Sequence, residues 1–99
     1  MMTFIIVGNF TPAGLGRVKN VTECILEMKT QLNGVGGQMT NLYYTLGHCD
    51  FVAFAETPDQ KSMLKAMMEI AHLGFVHTET LLAIPAKEAA EMTKTFSHP

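Results

Sequence analysis

Residues 43–56, with the sequence YYTLGHCDFVAFAE, have the pattern of two β-strands joined by a three-residue break. Side chains alternate between two faces over residues 38–46 and again over residues 50–56. This alternation is typical of strands, because successive side chains of a strand point to opposite faces. The segment therefore predicts a β-hairpin at the centre of the chain, with Gly47, His48 and Cys49 in its turn.

A strand and a helix are predicted before this hairpin. Residues 3–10 are rich in β-branched and aromatic side chains, as strands are, and residues 11–14 (TPAG) have the composition of a turn. Over residues 17–32 the apolar side chains recur at spacings of three and four, and Asn33 and Gly34 follow as a stop signal. We therefore predict an amphipathic helix over residues 17–32.

A second helix and a fourth strand are predicted after the hairpin. Thr57 offers an N-cap hydroxyl, and Gln60 stands where a capping box needs it. The helix that follows is expected to bury Met63, Leu64, Met67, Ile70 and Ala71. Gly74 ends this helix, residues 75–84 form a long apolar strand, and Pro85 opens a short final helix rich in Ala, Glu and Lys.

The order of elements is β-α-β-β-α-β, which predicts an α+β, ferredoxin-like fold with two helices on one face of a four-stranded antiparallel sheet. The length of 99 residues fits a single domain over residues 1–99. The first strand is apolar on both faces, with Phe4 and Ile6 on one and Ile5 and Val7 on the other. The second face must therefore be covered, and we expect a homodimer or a higher homo-oligomer.

Charge and composition exclude several partner classes. The net charge is -2, with seven basic against nine acidic residues and no basic run, so neither nucleic acid nor an anionic membrane surface is an expected partner. The apolar run at residues 4–7 is far too short to cross a bilayer and no basic segment precedes a longer apolar stretch, so a cytoplasmic location is expected. The two cysteines lack a CxxC spacing and are expected as free thiols.

The turn Gly47-His48-Cys49-Asp50 has two interpretations. A thiolate beside an imidazole is a plausible nucleophile or soft metal ligand. However, adjacent residues of a tight turn point in different directions, and a metal site needs three or four convergent ligands. The turn interpretation is favoured, with Asp50 accepting backbone hydrogen bonds, and no metal site is predicted.

His77 and Glu79 are the main candidates for a functional site. They lie two residues apart on a strand, so they share a face with Phe75 and Leu81 and are expected to point away from the helices. There they could act as acid and base, or form a structural pair at a protomer interface. Both alternatives stay open, and Asn9, Tyr43 and Thr45 are the candidate polar neighbours in a ligand-binding cavity.

The motif over residues 44–52, YTLGHCDFV, with NFT at residues 9–11 and TETL at residues 78–81, resembles the GYD-domain family. The likeness extends from Phe4 to about Ile84. Cys49 replaces the tyrosine of the family name, and His77 stands where an arginine is expected. The resemblance implies a branch of the dimeric α/β-barrel superfamily, in which two protomers pack sheet to sheet.

These inferences predict a small oligomeric protein whose barrel cavity binds a small molecule, in an accessory or regulatory role. One alternative is a cofactor-independent enzyme of the oxygenase or isomerase type that uses His77 and Glu79 with a tyrosine. Another is an assembly module with a filled apolar core. No cofactor is expected in any of the three.

Overall fold

The computed structural model describes residues 1–17 and 21–94. Its elements are β1 (Met2–Phe10), α1 (Pro12–Arg17), α2 (Val21–Gly34), β2 (Gln38–Tyr44), β3 (Phe51–Thr57), α3 (Gln60–Leu73), β4 (Val76–Ala83) and α4 (Ala86–Thr93). The four strands form one antiparallel sheet in the order β2-β3-β1-β4. The predicted ferredoxin-like arrangement is confirmed. No helix in the described ranges is long and apolar enough to cross a membrane.

The hydrophobic core lies between one face of the sheet and the helices α2 and α3. In the two central strands, Phe4 lies opposite Ala55 and Ile6 opposite Ala53, and all four side chains are buried. The helices add the buried residues Cys24, Ile25, Met28, Leu32, Met63, Ala66 and Ile70. The small alanines of β3 let the larger helix side chains approach the sheet closely.

The predicted turn at residues 11–14 is wrong, because a short helix, α1, begins there. The Thr11 hydroxyl accepts a hydrogen bond from the Gly14 N–H at 2.9 Å, which is the bond an N-cap residue makes. Pro12 occupies the first helical position, where its missing N–H costs nothing. Val18, placed by the periodicity in the following helix, lies outside the described residues, and α2 is described from Val21.

The N-cap of α3 is Asp59 and not the predicted Thr57. The Asp59 carboxylate accepts a hydrogen bond from the Ser62 N–H at 2.7 Å. Thr57 is the last residue of β3, where it is buried and its hydroxyl donates to the Asp59 carbonyl at 2.7 Å. The end of the helix is as predicted, because Gly74 has φ 76° and its N–H donates to the Ala71 carbonyl.

The buried stripe of α3 is narrower than predicted. Met63 and Ile70 are buried together with Ala66, whereas Leu64 and Ala71 are exposed. The helix turns one stripe toward the sheet and α2, and Leu64 falls beside this stripe, toward β4. Two large apolar side chains of α3, Leu64 and Met68, are therefore left at the surface.

Replacing Asp59 with Ala is expected to lower the melting temperature by a few degrees, because the α3 N-terminus loses its side-chain acceptor. The hydrogen bond to Ser62 lowers the pKa of Asp59 in the folded state. The carboxylate therefore stabilises the fold above the ordinary pKa range of aspartate, and this contribution is lost as the pH falls through the lowered pKa. The difference in melting temperature between wild type and variant should shrink in acid.

The control for this prediction is Gln60→Ala. The capping box predicted from the sequence requires Gln60, but Thr57 is not the cap, so this change should leave the melting temperature nearly unchanged. Equal effects of the two substitutions in thermal melts at neutral pH would contradict the assignment of Asp59 as the cap.

Candidate functional site

The sheet face opposite α2 and α3 is a mainly apolar surface, here called the open face. Because Phe4 and Ile6 point to the helices, the alternate residues of β1 and their neighbours in register point the other way. The open face comprises Thr3, Ile5, Val7, Asn9, Gln38, Asn41, Tyr43, Val52, Phe54, Glu56, His77, Glu79, Leu81 and Ala83. The prediction that the first strand is apolar on both faces is confirmed.

The centre of the open face is a continuous apolar patch. Ile5 lies between Phe54 and Leu81 in register, and the rings of Tyr43 and Phe54 meet edge to face with centroids 6.3 Å apart. Tyr43 is 56% exposed and Leu81 43% exposed. The whole open face, polar residues included, has roughly 450 Å² of projected area, since it spans four strands of about seven residues. A contiguous exposed apolar patch with a polar rim is typical of an interaction surface.

His77, Glu79 and Asn9 lie together at one corner of the open face. Asn9 is directly opposite His77, and Glu79 is opposite Val7, one step further along the strand pair. All three polar residues are exposed. Among the described residues, no hydrogen bond or ion pair involves their side chains. The predicted sharing of a face is observed, but one chain forms no pair between His77 and Glu79.

Tyr43 lies on the same face but on the opposite edge of the sheet. Its row across the sheet runs from Tyr43 through Val52 and Val7 to Glu79. Three strand spacings separate Tyr43 from Glu79, which is about 14 Å. A general acid or base must be within hydrogen-bond reach of the reacting group. A single chain therefore does not assemble the tyrosine with His77 and Glu79 around one substrate atom.

Thr45, the remaining candidate binding residue, is part of the connection between β2 and β3. It follows β2, and its hydroxyl donates to the Cys49 carbonyl at 2.7 Å and lies 3.3 Å from the Cys49 sulfur. Its N–H donates to the Asp50 carbonyl at 2.9 Å. The side chain therefore holds the connection between β2 and β3 together.

The residues of the predicted turn lie in that connection, which is fastened to the end of β1. Asp50 accepts a hydrogen bond from the Phe10 N–H at 2.9 Å, and its own N–H donates to the Gly8 carbonyl at 2.9 Å. Gly47 has φ 130°, a conformation that other residues rarely adopt. His48 is exposed, whereas Cys49 is only 8% exposed. This geometry is that of a structural turn.

Neither cysteine has the surroundings of a reactive thiol or a metal ligand. Cys24 is buried in the core, and burial raises the pKa of its thiol, which disfavours the thiolate. Both cysteines are free. The described part of the chain contains no group of three or more metal-ligating side chains.

Phe75 is not on the open face with His77, contrary to the expectation from strand parity. It precedes β4, and its side chain is partly buried against the core. Its carbonyl accepts a hydrogen bond from the Thr11 N–H at 3.0 Å. This bond joins the start of β4 to the start of α1, so the regular alternation begins only at Val76.

A second surface feature, which the sequence did not indicate, is a cavity of about 350 Å³ between α3 and β4, here called the side groove. Its apolar lining comprises Phe4, Met63, Leu64, Met67 and Leu82. These residues face the helix side of the sheet, so the groove is separate from the open face. The one signal for the side groove would have been the exposure of Leu64 beside the buried stripe of α3. Its exposure depends on how α3 packs and is not visible in the sequence pattern.

Two solved structures have a similar fold. The crystal structure of a protein whose name begins with FFRP has a TM-score of 0.60 and 19% identity, over 85% of this chain and 100% of that chain. A protein of Thermus thermophilus has a TM-score of 0.57 and 22% identity, over 87% of this chain and 96% of that chain. At these identities the likeness concerns the fold.

A relative in sequence also comes from Thermus thermophilus and is named "Glutamine synthetase and cystathionine beta-lyase binding protein". It is 34% identical over 89 residues, which are 89% of this chain and 94% of the relative. The model of the GYD domain matches residues 4–93, nearly the whole described chain. The chain therefore belongs to the GYD domain family.

Proposed function

We propose that this protein is an accessory protein that self-associates through its open face and binds a metabolic enzyme. The observation that carries the proposal is the relative named as a binding protein of two enzymes. This chain matches 94% of the length of that relative. That relative consists almost entirely of the same domain. Both cysteines of this chain are free, which favours a reducing compartment, and we place the protein in the cytoplasm.

Self-association is supported by the composition of the open face. The central side chains Ile5, Val7 and Phe54 are apolar, and the charged residue in register with them, Glu79 opposite Val7, lies on the edge strand β4. A second copy presents the same surface, so the two can pack symmetrically with apolar centre against apolar centre. Glu56 lies near one end of the face, where it need not be buried.

The polar corner of the open face supports a small-molecule site between the two sheets. Asn9, His77 and Glu79 have no side-chain partners within the described chain, and packing of a second sheet would partly enclose them. Enclosed polar groups need hydrogen-bond partners, and a small polar molecule would supply them. Binding is favoured over catalysis because His77 and Glu79 form no hydrogen bond or ion pair with each other in the described chain.

The proposed function is tested with purified proteins. The chain is mixed separately with the glutamine synthetase and the cystathionine β-lyase of its own organism and analysed by sedimentation velocity, with an unrelated enzyme of similar size as control. We expect one of the two metabolic enzymes to sediment as a complex with this protein and the control enzyme to sediment alone. Failure of both enzymes to bind an intact oligomer would overturn the proposal.

His77→Ala and Glu79→Gln are expected to reduce the amount of small molecule retained by the purified oligomer, because each removes a polar group from the proposed site. Native mass spectrometry of the oligomer measures this amount directly. The matched controls are His72→Ala, in the last turn of α3, and Glu56→Gln, at the opposite end of the open face. Retention that is equal in all four variants, or absent in wild type, would contradict the site.

A further inference from the structure

The C-terminal helix α4 has no extensive packing surface among the described residues of its own chain. None of its eight residues is buried, and it packs extensively against no other described element. Its first turn lies beside the start of β1, where Glu88 and Met2 line a small cavity. The described chain is 58 Å long but only 30 Å by 18 Å across. A helix of eight residues is unstable alone in water, so α4 needs a surface that the described residues of one chain do not supply.

The sequence of α4 divides it into two faces. Ala86, Ala89 and Ala90 recur at spacings of three and four and form one side with Met92. The other side carries Lys87, Glu88, Glu91 and Lys94, and the last two form an ion pair at 3.1 Å. The alanine side is small and uncharged, which permits close packing against larger apolar side chains.

The side groove has the complementary properties. Leu64 and Leu82 form its outer walls and are 61% and 47% exposed. The polar residues in its lining are Gln60 and Thr80, neither of which is ionisable. A helix that enters with its alanine side down buries no charge and leaves its charged side in water. The groove therefore matches the alanine side of α4 in polarity and in charge.

We propose that α4 of one copy lies in the side groove of a second copy, and that the exchange is reciprocal. This inference rests on the proposed self-association. The open face alone offers roughly 450 Å² of projected area, which the exchange of helices would enlarge by about half. One donated and one received helix add roughly 250 Å² per copy. Because α4 follows β4 after two residues, the exchanged helix continues directly from the open-face interface.

Photo-cross-linking of mixed oligomers tests the exchange. A photoreactive phenylalanine analogue replaces Ala89 in the full-length, unlabelled chain, and this variant is mixed with ¹⁵N-labelled wild type and allowed to exchange subunits. After irradiation, mass spectrometry identifies cross-linked peptides and the isotope label shows whether they join two chains. We expect cross-links between chains, from position 89 to the peptides that carry residues 60–67 or 80–82.

The control carries the same analogue at position 87, on the charged side of α4. From position 87 we expect no cross-links to the peptides that line the side groove. Cross-links only within one chain, to other surfaces, or equally from both positions would overturn the exchange. Sedimentation velocity on the same samples separates the two proposals. A dimer without these cross-links overturns the exchange alone, whereas a monomer overturns both the exchange and the self-association.

Discussion

Replacement of Ile5 with Glu is expected to convert the proposed oligomer to monomers at micromolar concentration. Ile5 lies in a central strand, between Phe54 and Leu81, so a second sheet packed on the open face would bury the new carboxylate without a cation. An unpaired buried charge costs about 3 to 5 kcal/mol, which weakens association at least about a hundredfold. Sedimentation velocity over a range of concentrations measures the change.

The matched control is Leu26→Glu, which introduces the same side chain at an exposed apolar position of α2, outside the open face. This variant should sediment as wild type does, and both variants should keep the same helical circular dichroism. An Ile5→Glu variant that stays oligomeric, or a control that dissociates equally, would show that the open face is not the interface.

The main elements were predictable from the sequence because periodicity reports burial, whereas the ends of helices depend on tertiary structure. In the Thr57-Pro58-Asp59 segment, both Thr57 and Asp59 have side chains that can cap a helix. The pairing of Thr57 with Met2 extends β3 by one residue and leaves the cap to Asp59. Thr57 and Met2 are far apart in the sequence, so no local pattern predicts their pairing.

The candidate site was predictable only where strand parity decides the geometry. Parity alone places His77 and Glu79 on one face, and the structure places both on the open face. The distance from Tyr43 to Glu79 depends on the strand order, and the bonding of Thr45 depends on the path of the connection after β2. Neither can be derived from spacing along the chain, because Tyr43 and Glu79 are far apart in sequence and the bonds of Thr45 to Cys49 and Asp50 depend on how the connection folds.

A second large effect is expected at Gly8, in the strand that carries Asn9. A Cβ atom at Gly8 would lie 2.3 Å from Cζ of Phe51 and within 2.9 Å of two more ring atoms. The Phe51 ring is fully buried and packs against Phe10 with centroids 5.2 Å apart, so it has no room to move. We therefore expect Gly8→Ala to lower the free energy of unfolding by about 1 to 3 kcal/mol.

Combination of Gly8→Ala with Phe51→Ala separates this clash from other effects. Phe51→Ala alone should cost about 3 to 5 kcal/mol through the cavity that it leaves. In that background the new methyl group has space, so Gly8→Ala should then cost little, and the two changes should be coupled by about 1 to 3 kcal/mol.

Gly34→Ala, with no atom within 4 Å of its added Cβ, is the control and should be nearly neutral. Urea unfolding at one protein concentration measures all four variants. Additive costs would contradict the contact, whereas coupling would show that the ring of Phe51 requires glycine at position 8.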